Sequence, residues 1–323
     1  MKISEKINGR LIMKQLTITA NDAEQRLDKF LTKYLPKMPK SMLYKSLRKN
    51  CIRINGRHVK DGAYMLREGD ELKLFLKDEF FEAAKKSDFT PVKADLDIVY
   101  EDENILLLNK PAGVVVHADD RNTSVTLIAQ IQSHLYEKGE YRPEHEHSFA
   151  PALCNRLDRN TSGIIIAAKN AAALRMVNEK IRAREIHKYY LCIADGIITG
   201  SGTLNSNLTR GDKQVRITDT ATDTSKEVSL NYRAVSSKDN KTLLEVELLT
   251  GRTHQIRAQL SSIGHPLTGD TKYGGSKGEG RYRLASFRLA FEFMTDAGIM
   301  EYLNHRVFEI KPEFAAHFQN QAG

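Results

Sequence analysis

Residues 151–169 read PALCNRLDRNTSGIIIAAK, and the architecture of the chain hangs on how this stretch divides. A short extended piece enters a polar turn, NRLDRNTSG (155–163), and a β-branched run at 164–166 continues as a strand. Asp158 therefore stands at a strand-to-turn junction, and in extended backbone Arg156 projects from the same face. Taken alone, an RLD tripeptide reads more readily as an aspartate capping its own turn beside a surface arginine. Its meaning depends on what the rest of the chain brings to it.

On the N-terminal side, LDIVY (96–100) and ILLLN (105–109) form two apolar strands ending in the turn Lys110-Pro111-Ala112-Gly113. On the C-terminal side, Leu174, Val177 and Ile181 mark the inward stripe of a helix beginning near Asn170. The strand HKYYLCIADG (187–196) follows, with Lys188, Tyr190 and Cys192 on one face. A further strand, TLLEVELL (242–249), leads into GRTHQIRAQLSSIGHPLTGDTKYG (251–274). Thr253 is placed to cap a helix closed by Gly264, with Ile256, Leu260 and Ile263 buried and His254, Arg257 and Ser261 on the polar side. Arg257 would then be free to meet a carboxylate. GDTKYGGS (269–276) has the glycine spacing of a phosphate-binding loop but Gly275 where its lysine belongs, which argues against nucleotide binding.

The N-terminal part reads as a separate, smaller unit. Asp22 and Gln25 form a capping pair before a helix whose Leu27, Phe30, Leu31, Tyr34 and Leu35 share a face. Ser41 caps a second helix, SMLYKSLRKN, with Leu43 and Leu47 inward and Lys45, Arg48 and Lys49 exposed. Residues 52–54, the hairpin signal Asn55-Gly56, a returning RHVK and then ELKLFL complete a small antiparallel sheet. Between Asp28 and Asp61 lie ten Lys or Arg residues and no acid, so taking these ten from the net charge of +8 leaves −2 for the rest. So concentrated a patch suits phosphate contact. DEFFEAAKKSDFTP (78–91) reads as a linker and EKGEYRPEHEHS (137–148) as a mobile loop.

A chain of 323 residues suggests two domains, one small and one large. No run approaches the ~18 consecutive apolar residues of a membrane span. The opening MKISEKINGRLIMKQ lacks the apolar core of a secretory signal, although Met13, ahead of KQLTI, is an alternative start. Cys51, Cys154 and Cys192 have no CxxC spacing, which fits a reducing compartment. His145 and His147 lack suitably spaced companions, so no metal site is expected. The expectation is a soluble cytoplasmic protein without membrane contact.

The order of the N-terminal elements, with RLDKFL (26–31) and INGRHVKDGAYMLREGDEL (54–72), resembles the S4 RNA-binding module over roughly residues 23–78. KMPKS (37–41) is similar to the KMSKS loop of class I aminoacyl-tRNA synthetases, but it has no HIGH-type partner motif and joins two short helices. NRLDRNTSG (155–163), KYY (188–190) and GRTHQIR (251–257) together resemble the RluA family of pseudouridine synthases, whose HRLDxxTSG, KxY and GRTHQIR motifs they follow in order. With the KPAG turn and the S4 module, the resemblance covers almost the whole chain. Asn155 stands where the family has histidine, and Ala285 where LHA or LHS is expected.

The resemblance implies an α+β chain: an S4 domain of two helices on a small antiparallel sheet (15–78), a linker (79–91), and a catalytic domain with a mixed, mainly antiparallel sheet and flanking helices (92–315). It implies that Asp158 is the nucleophile, Tyr190 the ring against the target uracil, Arg257 the carboxylate's partner, and Arg156 an intruder into the space left by the extruded base. Lys40, Lys45, Arg48, Lys49, Arg53 and His254 are the further expected RNA contacts. The implied reaction breaks the bond from uracil N1 to the ribose, turns the base and joins C5 to the same carbon, with no cofactor. Structured RNA is the expected partner, large-subunit ribosomal RNA ahead of transfer RNA, acted on by a monomer. The rivals are a non-catalytic ribosome-assembly factor and a different uridine-modifying or cleaving enzyme.

Overall fold

A computed structural model describes residues 10–81, 89–117, 125–211, 214–218, 220–277 and 280–319. The described residues group into two compact units, one within Met1–Pro91, His134–Pro151 and Asn170–Ala172, the other within Val92–Ser133, Ala152–Lys169 and Ala173–Gly323. Among the described residues no helix is long and apolar enough to cross a membrane.

The first unit contains β1 (Leu11–Thr17), α1 (Leu27–Tyr34), α2 (Lys40–Arg48), β2 (Ile52–Ile54), β3 (Arg57–His58) and β4 (Glu71–Lys77). Its sheet runs β1-β4-β2-β3 and is antiparallel throughout. Asn55 and Gly56 both take positive φ, 51° and 77°, which a two-residue hairpin of this twist requires. Leu27, Phe30, Leu31, Leu43 and Leu47 bury against Leu72 and Leu74, the stripes expected of two helices on a sheet.

Local details differ from expectation. α1 starts behind Arg26 with no side-chain cap. Asp22 is instead fully buried, accepting from the Thr19 hydroxyl at 3.0 Å and the Ser148 hydroxyl at 2.7 Å. α2 starts behind Pro39, whose fixed φ leads the chain into the helix, and Ser41 lies inside its first turn. β1 was hidden because Leu11 and Met13 point outward while Ile12 and Leu16 pack inward, so apolar residues occupy both faces. The segment 137–148 is tied down: Glu146 accepts from Asn21 at 2.9 Å and the His147 ring meets Tyr34 edge-on at 5.8 Å. Phe80 and Phe81, in the stretch read as linker, are buried in the core, and residues 82–88 of that stretch lie outside the described residues.

The remaining elements are β5 (Ile98–Glu101), β6 (Ile105–Lys110), α3 (Leu127–Glu137), β7 (Ala152–Leu153), β8 (Ser162–Ala168), α4 (Ala171–Ala183), β9 (Ile186–Asp195), β10 (Ser201–Arg210), β11 (Val215–Thr218), β12 (Lys226–Lys238), β13 (Lys241–Leu248), α5 (Gln255–Ser262), β14 (Leu284–Phe291), β15 (Val307–Glu309) and α6 (Glu313–Gln319). The large sheet runs β11-β10-β12-β13-β9-β14-β8-β6-β5, with β15 on β14 and β7 on β8. Among the described residues its one parallel pairing joins β8 to β14; the others are antiparallel. Ile164 and Ile166 pack with Leu107, Val177 and Phe291 in the main core. The parallel contact is close: Gly163 has φ 108°, and a Cβ there would strike the Ser286 backbone.

Candidate active site

Ser286 on β14 is in register with Gly163 of β8 on one side and Tyr190 of β9 on the other. The sheet thereby brings the end of NRLDRNTSG beside the KYY strand. The turn before β8 closes through the Thr161 N–H on the Asp158 carbonyl at 3.0 Å, which leaves the Asp158 carboxylate free to face elsewhere. The backbone of this turn is held from within. Lys110, fully buried, donates to the carbonyls of Arg159 at 3.0 Å, Pro111 at 3.0 Å and Val114 at 3.1 Å. The Gly113 N–H adds a second donor to the Arg159 carbonyl at 2.7 Å. Burial lowers the Lys110 ammonium to about 8, against the opposing pull of Asp158.

Arg257 arrives on α5. Thr253 does not cap this helix; His254, in the left-handed region at φ 56°, precedes it. The Gln255 side chain instead fastens the incoming loop, its Oε1 accepting from the Arg252 N–H at 3.1 Å and the Thr250 hydroxyl at 2.9 Å. The expected polar face is buried as well, from Gln255 to Leu260, while Ile263 is 41% exposed. Polar side chains tolerate this position because strand atoms satisfy them; Gln259 Nε2, for example, donates to the Leu204 carbonyl at 3.0 Å and Ser206 Oγ at 2.9 Å.

Arg257 is therefore not a free cation. Its Nε and Nη2 grip Asp270 at 2.6 and 2.9 Å, and Nη1 donates to Asp158 Oδ2 at 3.2 Å. The guanidinium lies 4.3 Å from the Tyr282 ring centre and 5.0 Å from that of Tyr273. Burial by itself would lower the Arg257 pKa, and the hydrogen bonds and charge of Asp270 more than reverse this. A planar fork held along one edge by Asp270 presents its remaining N–H to Asp158 in a fixed direction. His254 Nε2 approaches the same Asp158 oxygen at 3.6 Å while its Nδ1 meets the Tyr273 hydroxyl at 2.9 Å. His254, expected only as an RNA contact, thus belongs with the carboxylate; burial depresses its pKa and Asp158 partly restores it.

Asp158, Tyr190, Arg257, His254, Arg156 and Asn155 all line one cavity of about 900 Å³. Tyr190 is buried, and burial raises its hydroxyl to about 12, so it enters the cavity as a neutral phenol. Arg156 is exposed at the cavity and makes no ion pair among the described residues. Asn155 Oδ1 accepts from the Ile166 N–H at 2.9 Å. Ala285, the other departure, is fully buried in β14. Lys40, Lys45, Arg48 and Lys49 are exposed in the first unit, on or beside α2, and Arg53 lies over the Phe75 ring at 5.5 Å. Asp270, Tyr282 and Lys110 were missed as site residues. Asp270 lay within the segment dismissed as a phosphate loop, and its aspartate was the available signal.

The sequence profile of the family described as RNA pseudouridylate synthase matches residues 104–262, and that of the S4 domain matches residues 25–72. A protein of Haemophilus influenzae named ribosomal large subunit pseudouridine synthase C is 31% identical over 313 residues, spanning 90% of each chain. Its namesake in Escherichia coli K12 is 34% identical over 271 residues, covering 81% of this chain and 80% of that one. The structure of human RNA Pseudouridylate Synthase Domain Containing 1 superposes with a TM-score of 0.51 at 25% identity, over 62% of this chain and 80% of that one. The chain belongs to the RNA pseudouridylate synthase family, as a member of the RluA type that carries an S4 domain and acts on RNA.

Proposed function

We propose that the protein isomerises uridine in large-subunit ribosomal RNA in the cytoplasm, with Asp158 as the carboxylate that acts on the target nucleotide. The observation that carries this is the Asp158 carboxylate facing the cavity 3.2 Å from Arg257, which Asp270 fixes in place. The target class follows the names of the two bacterial relatives.

A stacked uridine is out of reach, so the nucleotide must leave the stack at a cost of a few kcal/mol. Arg156, exposed and unpaired at the cavity, takes the vacated place. Tyr190 stacks on the base, a contact typically worth about 1–3 kcal/mol. The Asp158 carboxylate then acts on the ribose, either by attack at C1′ or by removing a sugar proton, and the N1–C1′ bond breaks. The base turns and C5 bonds to C1′, which displaces the Asp158 oxygen on the first route and is accompanied by return of the sugar proton on the second; the C5 proton leaves and N1 gains one. Uridine and product have the same composition, so nothing else is consumed. Residues 15–78 serve as the S4 domain, presenting the basic α2 and its loop to phosphate, and 92–315 as the catalytic domain.

Asp158→Asn should abolish tritium release from C5-labelled 23S ribosomal RNA and leave RNA binding within a few fold, because the lost group acts in the chemical step. Appreciable turnover by this variant would overturn the assignment. Release from labelled transfer RNA alone would overturn the target.

A further inference from the structure

We infer that Arg182, Arg184, Lys188 and Arg252 form a phosphate-binding rim on the catalytic cavity, which holds the RNA backbone beside the flipped nucleotide. This rests on the uridine-isomerising reading above and adds a binding site to it.

The cavity is lopsided in charge. Among the described residues seven Lys or Arg line it, and Asp158 is the one carboxylate that does. Arg257 is committed to Asp158 and Asp270. Arg182, Arg184, Lys188 and Arg252 have no carboxylate partner among the described residues, although they share one wall. Topology explains their grouping. β9 and β13 pair antiparallel with Tyr189 opposite Glu247, so the start of β9 lies beside the end of β13. The end of α4 and its turn into β9, carrying Arg182 and Arg184, and the loop from β13 into α5, carrying Arg252, therefore leave the same end of the strand pair.

The turn is built to hold its shape. Arg184 sits at φ 63°, a conformation that costs a non-glycine residue energy and persists only when its surroundings fix it. The next residue, Glu185, is buried and bonded to the fully buried Lys180 at 2.7 Å, and both reach Thr295. One ion pair is thus consumed inside to anchor the turn, while the arginines on either side of Arg184's neighbour Ala183 stay exposed and unpaired. Lys188, half-buried on the cavity face of β9, has its ammonium pushed down by burial with no acid to offset it. A row of cations with no internal counter-charge, facing a site that takes a nucleotide, fits a polyanionic backbone rather than a base edge.

The test uses full-length Arg182→Gln/Arg184→Gln and, separately, Arg252→Gln, with Lys226→Gln/Lys238→Gln as a control removing equal charge from exposed positions outside the cavity wall. Binding to a 23S ribosomal RNA transcript is measured across a salt series, alongside single-turnover tritium release at saturating enzyme. The double cavity variant should bind roughly 10-fold or more weakly near physiological salt, and its slope of log affinity against log salt should shrink by about 1.4, or ~0.7 per phosphate contact on single strands. Arg252→Gln should shift both in the same direction by about half as much, on a logarithmic scale, and the saturated rate should stay within about twofold. Binding and slope equal to those of the control would overturn the rim, as would a fall in saturated rate at unchanged affinity. If the wild-type protein forms no pseudouridine in any RNA, the functional reading fails, and the binding series still decides whether these cations grip phosphate.

Discussion

Replacing Asp270 with alanine removes both acceptors that hold Arg257 and leaves the guanidinium buried, with Asp158 at 3.2 Å as its remaining carboxylate. Breaking a buried pair from one side costs about 3–5 kcal/mol. At about 2–4 °C per kcal/mol for a domain of this size, the midpoint of unfolding should fall by about 6–20 °C. The chemical step should suffer separately, since a catalytic group displaced by about 1 Å loses on the order of 10²-fold in rate. Calorimetric melting reads the first effect, and single-turnover tritium release below the lowered midpoint reads the second. The double variant Asp270→Ala/Arg257→Met removes both buried charges, so it should regain much of the lost stability while remaining inactive. If Asp270→Ala melts within about 2 °C of the wild type or reacts within threefold of its rate, Asp270 does not aim Arg257 and the account of the site is wrong.

Other consequences can be measured with the same assays. Burial holds the Lys110 ammonium at about 8, so it is charged below that pH and neutral above it; the rate should therefore fall as pH rises through about 8, and Lys110→Met should lower the rate and erase that limb. Gly163→Ala would drive a Cβ into the Ser286 backbone at φ 108°, and should destabilise the protein by several kcal/mol, about 3 or more, in denaturant titration. Replacing Lys45, Arg48 and Lys49 with glutamine should weaken RNA binding and reduce its salt slope by up to about 2, as three lost phosphate contacts would, with the saturated rate preserved.

The fold was legible wherever one face of an element is apolar and the other wet. The stripes of α1 and α2, the alternation Leu72-Leu74-Leu76 and the Asn55-Gly56 turn all carry such signals. Asp158, Tyr190 and Arg257 could be named from motifs and do meet at one cavity. The partners that aim them were harder to see, because their roles depend on contacts distant in sequence. Gln255 and Gln259 are polar, yet β10 and β12 supply the carbonyls that let them be buried. Asp270 looked like part of a failed phosphate loop because nothing in its own neighbourhood reveals Arg257, thirteen positions earlier. The 137–148 segment read as loose because it is polar, and its side chains turn out to answer polar groups of the first unit such as Asp22 and Asn21.

Lys110 ties its own loop after β6 to the turn before β8 through three carbonyls, those of Pro111, Val114 and Arg159, and no side chain. Such a grip is indifferent to which residues stand at 114 and 159, since every amino acid offers the same oxygen. The carboxylate can hold its heading while the side chains around it are exchanged. A change of RNA target could therefore be reached by single substitutions at positions such as 114 and 159, which leave the chemistry in working order.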